Sequence, residues 1–523
     1  TMRLPYEQPA ALFAPDSTFR MEHDYSDAPF SQAYRNLFSL LTAPEHRRAL
    51  LLGERQPEAD KAVGLHGTYP PHLADVLLRA RQAKDYFLLV GPPGTGKTNV
   101  ALRALVEEFI EDRRRGLLRH GNLLLTAYTN RAVDEICGML ENVAKVYPEA
   151  AYIRIGAEQT CAEPYRPRLF SNLAAAAANR RAVRSLIDHT YIYIGTLTTL
   201  TGTPQLFRIK QFDCALFDEA SQILEPQALG LLCAKTEKGE SAIGKFVFIG
   251  DHKQLPAVVL SPEAQTAVHD PQLNDIGLLD TADSLFERLH RLQMRSGDGR
   301  FVGLLNRQGR MHPDIADFVN RKFYGGELRP VPLPHQKETA LPAPGADPLE
   351  QFAASTRLGF IDIVPDTPPQ NNKANEAEAD MVARLVQALI ALYGRNGRKI
   401  EPAESVGIIV PFRSQIACVR SRLQQAGIRG AEQITVDTVE CYQGSQRDFI
   451  IFSTTISRPY QLDVLSSVQR IGGADIDRKL NVAITRARRA FFMIGNRTLL
   501  EGSAIYKELI AASECAPTNK PIE

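Results

Sequence analysis

The hydrophobic residues of this chain fall into short unbroken runs that are separated by polar or glycine-rich corners. Five such runs occur in the first part, at residues 86–90, 122–127, 191–195, 214–217 and 245–250. Four more occur later, at residues 359–364, 406–410, 448–453 and 490–495. Runs without polar alternation predict strands buried on both faces, as in parallel sheets covered by helices. The pattern therefore predicts an α/β fold with two parallel sheets in tandem.

Stretches without a strand pattern divide these two series. The glycine-rich sequence RSGDGR, at residues 295–300, indicates a division between two domains. We predict a first α/β domain over residues 71–300 and a second over residues 301–515. They follow an N-terminal segment, residues 1–70, in which no motif is recognisable. The sequence LAAAAANRRAVRSLI favours a helical insertion at about residues 145–190, and the Pro-rich residues 329–348 predict a long loop in the second domain.

Composition and charge limit the class of protein further. The 523 residues exceed one ordinary core, and 44% hydrophobic with 23% charged residues is typical of globular proteins. No hydrophobic run is long enough to span a membrane, and the N-terminus lacks signal-peptide character. The seven Cys include no C-x-x-C pair, which argues against a zinc module and favours an intracellular location, cytoplasmic or, in a eukaryote, nuclear. Lys plus Arg (61) nearly equals Asp plus Glu (60), so a nucleic-acid partner would need a local groove.

The sequence GPPGTGKT, at residues 91–98, follows the first predicted strand and precedes a helical pattern. In such a loop the backbone N–H groups surround phosphates, Lys97 reaches the β and γ oxygens, and the Thr98 hydroxyl binds Mg²⁺. A chance glycine turn is the alternative, and the flanking strand and helix argue against it. The pattern therefore predicts ATP and Mg²⁺ as cofactors. The predicted nucleotide-binding residues of this loop are Gly91, Pro92, Pro93, Gly94, Thr95, Gly96, Lys97 and Thr98.

Polar residues also follow two later strands. Asp218 and Glu219 end the run at residues 214–217, where Asp218 would bind Mg²⁺ and Glu219 would polarise the attacking water as a general base. Two acids at a strand end are often only solvated, but the phosphate loop favours the catalytic interpretation. Gln254, in FIGDHKQLP, could contact both the attacking water and the γ-phosphate, with a capped turn as the alternative.

Two arginines beyond the predicted domain division are candidates for a further catalytic role. P-loop NTPases need positive charge on the γ-phosphate in the transition state, and this is often an arginine from another part of the protein. Arg310 lies in LNRQGRMHP and Arg486 in LNVAITRARR, each beside a hydrophobic pattern of the second domain. Surface arginines usually have no such role, but these positions favour a cleft between the domains.

Six motifs resemble, in order and spacing, those of the superfamily 1 helicases. They are GPPGTGKT, DEASQ, GDHKQLP, GRMHP, TVECYQGSQRD and LNVAITRAR. The chain is most similar to the superfamily 1B (DNA2/NAM7-like) branch, which contains the helicase of nonsense-mediated RNA decay and the Okazaki-fragment nuclease–helicase. The match runs from about residue 86 to residue 496. It implies two RecA-like domains that clamp ATP between them, with single-stranded nucleic acid across both and translocation from 5′ to 3′.

The resemblance assigns roles to individual positions and also shows departures. The implied catalytic residues are Lys97, Asp218, Glu219, Gln254, Arg310 and Arg486, with Thr98 and Asp218 as metal ligands. Gly309 stands where relatives commonly have a tyrosine that stacks on adenine, and no glutamine occurs near position 74, where an adenine-reading glutamine would fall. We therefore expect weak discrimination among nucleoside triphosphates. Gln446 stands where relatives usually carry glutamate, and it could still accept a hydrogen bond from a ribose hydroxyl.

The strand-contacting motifs of this branch also have counterparts here. The implied nucleic-acid-binding residues are Asn130, Arg131, Thr196, Thr198, Thr199, Arg413 and Thr435. Such side chains bond phosphate oxygens without reading sequence, and the alternative for each is a turn or cap residue. We expect single-stranded nucleic acid as the partner, with DNA favoured over RNA although no residue distinguishes them, and no membrane. A fused or associated nuclease or regulatory domain outside this chain is also compatible with the resemblance.

Other functions remain open on the sequence. A P-loop switch or kinase would explain the first predicted domain but not the second. A non-hydrolysing nucleic-acid-binding scaffold would not need the intact catalytic set. A nucleic-acid-stimulated ATPase that remodels protein–nucleic acid complexes without unwinding fits the sequence as well as an unwinding helicase does.

Overall fold

Seven parallel strands form the sheet of the first domain in this computed structural model, which describes residues 28–364 and 373–516. The strands are β1 (Tyr86–Val90), β2 (Leu123–Ala127), β3 (Tyr152–Ile155), β4 (Ile192–Thr196), β5 (Phe212–Asp218), β6 (Ile243–Gly250) and β7 (Val302–Leu304). Their order across the sheet is β3-β4-β2-β5-β6-β1-β7. The carboxyl ends of β1, β5 and β6 are therefore neighbours, and this edge of a parallel sheet is where ligands usually bind.

Before the sheet of the second domain, β8 (Arg307–Gln308) and β9 (Arg329–Pro330) make a short parallel pair. The strands after β9 are β10 (Leu358–Asp362), β11 (Val406–Ile409), β12 (Thr435–Asp437), β13 (Arg447–Ser453), β14 (Val468–Ile471), β15 (Ala474–Asp477), β16 (Ala487–Gly495) and β17 (Glu514–Cys515). Six of them form the parallel sheet of the second domain, in the order β12-β11-β13-β16-β10-β17. The other two, β14 and β15, form a separate antiparallel hairpin.

Helices cover both faces of each sheet. Those that belong to the first domain are α1 (Ala28–Leu41), α2 (Glu45–Leu51), α3 (Pro71–Gln82), α4 (Arg103–Arg114), α5 (Asn130–Ala144), α6 (Phe170–Ala176), α7 (Arg180–His189), α8 (Leu197–Thr201), α9 (Gln205–Ile209), α10 (Glu225–Leu232), α11 (Glu263–Thr266), α12 (Pro271–Asp275) and α13 (Leu285–Ser296). Those of the second are α14 (Pro313–Phe323), α15 (Pro348–Ser355), α16 (Glu376–Arg395), α17 (Pro402–Ser405), α18 (Arg413–Gln425), α19 (Leu462–Leu465), α20 (Arg478–Thr485), α21 (Arg497–Leu500) and α22 (Ala504–Ala512). None of the helices in the described ranges has the length and hydrophobicity that a bilayer span requires.

The alternation of side chains along each strand explains the continuous hydrophobic runs. Phe87 and Leu89 of β1 pack into the core on one face of the first sheet, whereas Leu88 and Val90 pack into the core on the other. Successive strand residues point to opposite faces, so a strand covered by helices on both sides needs hydrophobic residues at every position. The prediction of two parallel α/β sheets is confirmed.

Two strands of the first sheet lie where the sequence predicts none. β7 pairs with β1 although it follows residue 300, and its three residues are too few to make a recognisable run. β3 lies inside the stretch predicted as a helical insertion, which otherwise contains α6 and α7. Its residue Arg154 interrupts the hydrophobic pattern but is buried beside Asp134, with which it forms an ion pair. The first sheet therefore contains two more strands than the hydrophobic pattern indicates, and it extends past residue 300 of the sequence.

The described part of the N-terminal segment packs against the first domain. The Asn36 side-chain amide in α1 donates to the carbonyl of Pro226 in α10 (3.0 Å). The buried Arg47 guanidinium in α2 donates to the carbonyl of Ile243 in β6 (2.7 Å). Helices α1 and α2 thus cover one face of the first sheet, whereas Ala59, Leu65 and Tyr69 pack against the core on the other face. Residues 1–27 of the predicted segment lie outside the described residues.

Candidate active site

The glycine-rich loop after β1 has the backbone conformation that a phosphate cradle needs. Gly94 and Gly96 have φ angles of +75° and +82°, in the left-handed region where a side chain would be strained. A single π-helical turn (Lys97–Leu102) follows the loop and leads into α4. The Lys97 amine donates to the carbonyl of Gly91 (2.8 Å), so it folds back over the loop. This geometry places a cation and a helix N-terminus at the same concave surface.

The carboxyl end of β5 lies against the beginning of that helical turn. The Thr98 hydroxyl donates to Asp218 Oδ2 (2.7 Å), and Asp218 is only 2% exposed. Burial, together with the charge of the neighbouring Glu219, raises the pKa of Asp218 to about 6. A hydroxyl and a carboxylate in contact are the oxygen ligands that Mg²⁺ prefers, so these two residues fit the predicted metal.

Glu219 has a backbone conformation that is unusual for its residue type. Its φ angle is +52°, and a non-glycine residue in this region carries strain that persists where the surrounding structure holds it. Its backbone N–H donates to Asp218 Oδ1 (2.9 Å). The Gln222 amide donates to Glu219 Oε2 (3.1 Å) and so orients the carboxylate. The strained turn thus holds both carboxylates at the carboxyl end of β5.

Replacement of Asp218 by Asn is expected to stabilise the nucleotide-free, metal-free protein by about 2 kcal/mol at pH 7 while abolishing hydrolysis. The pKa of the carboxyl is 3.8 when unfolded and about 6 when folded. The native state therefore holds more protons than the unfolded state between these values, and stability falls as the pH rises through them. Chemical denaturation at pH 7 and at pH 4 measures the difference, which should shrink at pH 4. Equal or lower stability of the variant at pH 7 would contradict a cost of burying the ionised Asp218 carboxylate. Asp75→Asn, at an exposed position, is the control.

The segment around Arg310 brings the second domain directly onto the phosphate loop. The backbone N–H of Gly309 donates to the carbonyl of Gly94 (2.8 Å). A Cβ atom at Gly94 would lie 2.5 Å from Cβ of Arg310, so this position requires glycine for the close approach as well as for its φ angle. The Arg310 side chain donates from Nε to Gln446 Oε1 (2.9 Å) and from Nη1 to the carbonyl of Thr485 (3.2 Å). These contacts hold the guanidinium at the cleft.

The Pro-rich loop, residues 329–348, fixes the backbone on either side of Arg310. His335 Nε2 bonds to the carbonyl of Arg310 (2.8 Å), and the Gln336 amide donates to the carbonyl of Met311 (2.8 Å). Gln308 Oε1 accepts from the backbone N–H of Met311 (2.8 Å). His335 and Gln336 are buried, and sequence reasoning missed them because a polar residue in a Pro-rich loop gives no signal of its own. The glycine and arginine of LNRQGRMHP are thus held by this loop.

Arg486 enters the cleft from the end of α20. Its Nη2 donates to Gln254 Oε1 (3.0 Å), and its Nε donates to the carbonyl of Val482 (3.1 Å). The side chain is 2% exposed. Burial and the neighbouring Arg310 lower the pKa of Arg486 to about 9, which leaves it cationic at neutral pH. The predicted γ-phosphate sensor of the first domain and a predicted arginine of the second are therefore in direct contact.

Four of the predicted strand-binding residues lie together at the carboxyl ends of β2 and β4 in the first sheet. Strands β2 and β4 are neighbours, with Ala127 beside Thr196. Asn130 and Arg131 begin α5 after β2, and Thr198 and Thr199 lie in α8 after β4. Arg131 and Thr198 are exposed. Thr196 is buried, and its hydroxyl accepts from the backbone N–H of Thr199 (3.3 Å), so this side chain is a helix cap.

The two predicted strand-binding residues of the second domain do not lie together. Arg413 is exposed at the first position of α18, after the carboxyl end of β11. Thr435 begins β12 and therefore lies at the opposite, amino edge of the sheet, where its hydroxyl accepts from Arg447 Nη2 (3.1 Å). Thr435 is therefore held by a contact within the second domain, away from Arg413. Thr438, just after β12, occupies the carboxyl edge instead.

The Leu333 side chain lies close to Gly309. A Cβ atom at Gly309 would lie 3.1 Å from Leu333 Cδ1, so a side chain there would require Leu333 to shift by a few tenths of an ångström. Gln82, the glutamine nearest to the predicted base-reading position, donates to the carbonyl of Val63 (3.1 Å). Neither feature offers a hydrogen-bonding group that distinguishes bases.

The catalytic efficiency kcat/KM is expected to differ by no more than about tenfold among ATP, GTP, CTP and UTP, because strong discrimination needs polar groups that pair with the base. Steady-state hydrolysis with each triphosphate measures it under one set of conditions. A hundredfold preference for ATP would contradict this expectation of weak discrimination.

Comparisons with known proteins find AAA domains and helicases that are similar to this chain. Two family models, each described as an AAA domain, match residues 72–173 and 168–262 and residues 281–498. The DNA replication ATP-dependent helicase/nuclease JHS1 of Arabidopsis thaliana is 26% identical over 524 residues, which cover 95% of this chain and 35% of that protein. The helicase/nuclease DNA2 of Gallus gallus is 29% identical over 511 residues, covering 92% of this chain and 43% of that protein. The chain belongs to the superfamily 1B helicases.

This superfamily 1B chain, of the DNA2/NAM7-like branch, spans less than half the length of the curated relatives it matches. For DNA2 of Homo sapiens, 27% identical, the match covers 92% of this chain and 44% of that protein. Among solved structures, the arterivirus helicase nonstructural protein 10 matches 80% of this chain and 61% of that chain, with 14% identity and a TM-score of 0.37, and we conclude nothing from so distant a likeness.

Proposed function

We propose that this superfamily 1B chain hydrolyses ATP at the cleft between its two RecA-like domains. It couples each cycle to movement along single-stranded nucleic acid from 5′ to 3′, and so separates paired strands. The observation that carries this proposal is the pair of contacts across the cleft, Gly309 to Gly94 and Arg486 to Gln254. The first contact puts Arg310 beside the phosphate loop, and the second puts Arg486 on Gln254, the predicted γ-phosphate sensor.

Each residue at the cleft has a chemical role in the proposed reaction. Lys97 and the N–H groups of the glycine loop bind the phosphates. Thr98 and Asp218 hold Mg²⁺, which when bound neutralises phosphate charge. Glu219 accepts the proton of the attacking water.

Gln254 of the first domain and residues of the second domain complete the site. Gln254 orients the attacking water, and Arg310 and Arg486 stabilise the charge that develops on the γ-phosphate. Gln446, which accepts from Arg310, could also accept a hydrogen bond from a ribose hydroxyl. Hydrolysis removes the group that both arginines bind, so the domains separate afterwards.

Movement along the strand follows if the two domains release and bind it in alternation. Asn130, Arg131, Thr198 and Thr199 at one edge of the first sheet and Arg413 of the second domain would bind phosphate oxygens without reading the bases. Closure of the cleft then changes the spacing between these two sets of contacts.

DNA is the track that we propose. The relatives JHS1 and DNA2 are named for DNA replication, and they are named as helicase/nuclease proteins. Their names also support a nuclease partner, fused or separate, outside these residues.

Hydrolysis rates with matched single-stranded DNA and RNA of one sequence test the proposal. We expect a strand of either kind to stimulate turnover, DNA more than RNA, and a duplex with a 5′ overhang to be unwound. A switch or kinase would be indifferent to the strand, so turnover that neither polymer changes would contradict the proposal. Release of a bound protein without strand separation would instead identify a remodelling translocase.

A further inference from the structure

A polar cluster contacts Gln254 and is formed by the buried residues Asp251, Tyr324 and Asn481 together with the half-buried Lys253. Tyr324 Oη donates to Asp251 Oδ2 (2.7 Å), and the same oxygen accepts from the side-chain amide of Gln254 (2.8 Å). The Asn481 amide donates to Tyr324 Oη (2.9 Å) and to the backbone carbonyl of Lys253 (2.7 Å). None of these four side chains has a part in the proposed chemistry, and the hydrogen bonds make one continuous chain from Asn481 to Gln254.

The cluster joins the two domains. Asp251 and Lys253 follow β6 of the first sheet, whereas Tyr324 follows α14 and Asn481 lies in α20 of the second domain. Asp251 is 1% exposed, Tyr324 4% and Asn481 0%. Hydrogen bonds to a carboxylate are strong, and away from water they are stronger still. A displacement of the second domain therefore reaches Asp251 through Tyr324.

Tyr324 is the one hydroxyl donor among these hydrogen bonds. Burial, with the Asp251 carboxylate beside it, raises the pKa of the Tyr324 hydroxyl well above its usual value, so the group stays protonated and donates. The Lys253 ammonium lies 5.4 Å from the centroid of the Tyr324 ring, which further restricts the ring.

Both ends of the Gln254 amide are held by groups that respond to the second domain. Asp251, braced by Tyr324, accepts from the nitrogen, and Arg486 donates to the oxygen. An amide held at both ends has one orientation, and this orientation depends on where α14 and α20 stand relative to β6. A movement of the second domain is therefore transmitted to Gln254, the predicted water-orienting residue, through Tyr324 and Asp251 as well as through Arg486.

We propose that Tyr324 is a positioning residue that sets the orientation of the Gln254 amide through Asp251, so that the attacking water is oriented only when the cleft is closed. The inference rests on the proposed function. It adds a residue whose effect falls on the rate of hydrolysis and not on the binding of the triphosphate.

Replacement of Tyr324 by Phe keeps the ring and removes the hydroxyl. We expect kcat to fall by about tenfold or more, since small displacements of a positioning group are costly, while KM for ATP and the affinity for the strand change by less than about twofold. Tyr86→Phe is the matched control. It removes a buried tyrosine hydroxyl that accepts from Gln293 (2.8 Å) at the amino end of β1, away from the cleft. This control should lose comparable thermal stability and keep its kcat.

A double variant tests whether the effect follows the hydrogen-bonded route. Asn481→Ala removes the side-chain amide that donates to Tyr324 Oη. If both act through Asp251, the double variant should be about as slow as the slower single variant, because coupled residues are not additive. Multiplied losses in the double variant would overturn the inference.

Closure of the cleft provides a measurement that needs no hydrolysis. Energy transfer between dyes on α5 and α18 reports closure with a non-hydrolysable triphosphate, and Tyr324→Phe should close as the wild type does. The inference would be overturned if Tyr324→Phe kept the wild-type kcat or if Tyr86→Phe lost as much kcat as Tyr324→Phe. It would also be overturned if Tyr324→Phe failed to close. Wild-type protein that closes but shows no strand-stimulated turnover would instead refute the proposed function, and the inference with it.

Discussion

Replacement of Lys97 by Ala is expected to reduce ATP hydrolysis by about three orders of magnitude or more, to background in most assays. The Lys97 amine is the only ammonium group that the glycine loop carries, and it is already bent back over the loop by its bond to Gly91. Its charge would act on the β and γ oxygens both before and during phosphoryl transfer. Steady-state hydrolysis with saturating single-stranded DNA measures the loss.

A lysine elsewhere in the first domain separates this effect from a general change of charge. Lys145 is exposed at the end of α5, where it donates to Asn142 (2.8 Å), and its replacement by Ala should leave turnover unchanged. The Lys97 variant should keep the melting temperature of the wild type, because its amine makes one hydrogen bond to a backbone carbonyl. Turnover above about a tenth of the wild-type value in Lys97→Ala would rule out the glycine loop as the phosphate site.

Replacement of Arg486 by Ala is expected to lower kcat by about three to five orders of magnitude, the range found for arginines that act on the transferred phosphoryl group from a second domain. The guanidinium is buried at the cleft and donates to Gln254, so its loss removes a cation and also releases the predicted sensor. Single-turnover hydrolysis measures the chemical step directly. Retained turnover would refute this role of Arg486.

Loss of folding must be separated from loss of chemistry in that variant. Arg486→Lys keeps a cation of similar reach but lacks the planar fork, so it should fold and remain strongly impaired. Arg395→Ala, which removes an arginine paired with Glu350 at the end of α16, is the control in the same domain and should retain kcat. A lysine variant with near wild-type kcat would show that charge alone suffices at this position.

The hydrophobic pattern predicts the strands that carry the site because those strands are buried on both faces. All five predicted strands of the first series and all four of the second occur in the structure within a few residues. The pattern fails for short or edge strands. β7 and β12 have three residues each, and β3 contains Arg154, whose charge is neutralised by a partner 20 residues earlier. A run of three residues, or an arginine with a distant partner, cannot be distinguished from a loop by sequence alone.

The motifs predict which residues bear chemistry, but they do not predict what holds those residues in place. Arg310 and Arg486 can be identified in the sequence because P-loop NTPases need positive charge on the γ-phosphate in the transition state. The residues that hold the site, such as His335 and Tyr324, come from a Pro-rich loop and from a helix end, where nothing in the local pattern marks a buried hydrogen bond. His335 contacts Arg310 within the second domain, whereas Tyr324 contacts Asp251 only because one domain packs on the other.

The central claim is that triphosphate hydrolysis takes place at a site shared by both domains. A crystal structure of the protein with a non-hydrolysable triphosphate, Mg²⁺ and a single strand tests it most directly. The account predicts guanidinium nitrogens of both Arg310 and Arg486 within about 3 Å of γ-phosphate oxygens in the closed cleft. Arginine side chains that point away from the terminal phosphate in a fully closed, strand-bound complex would contradict it.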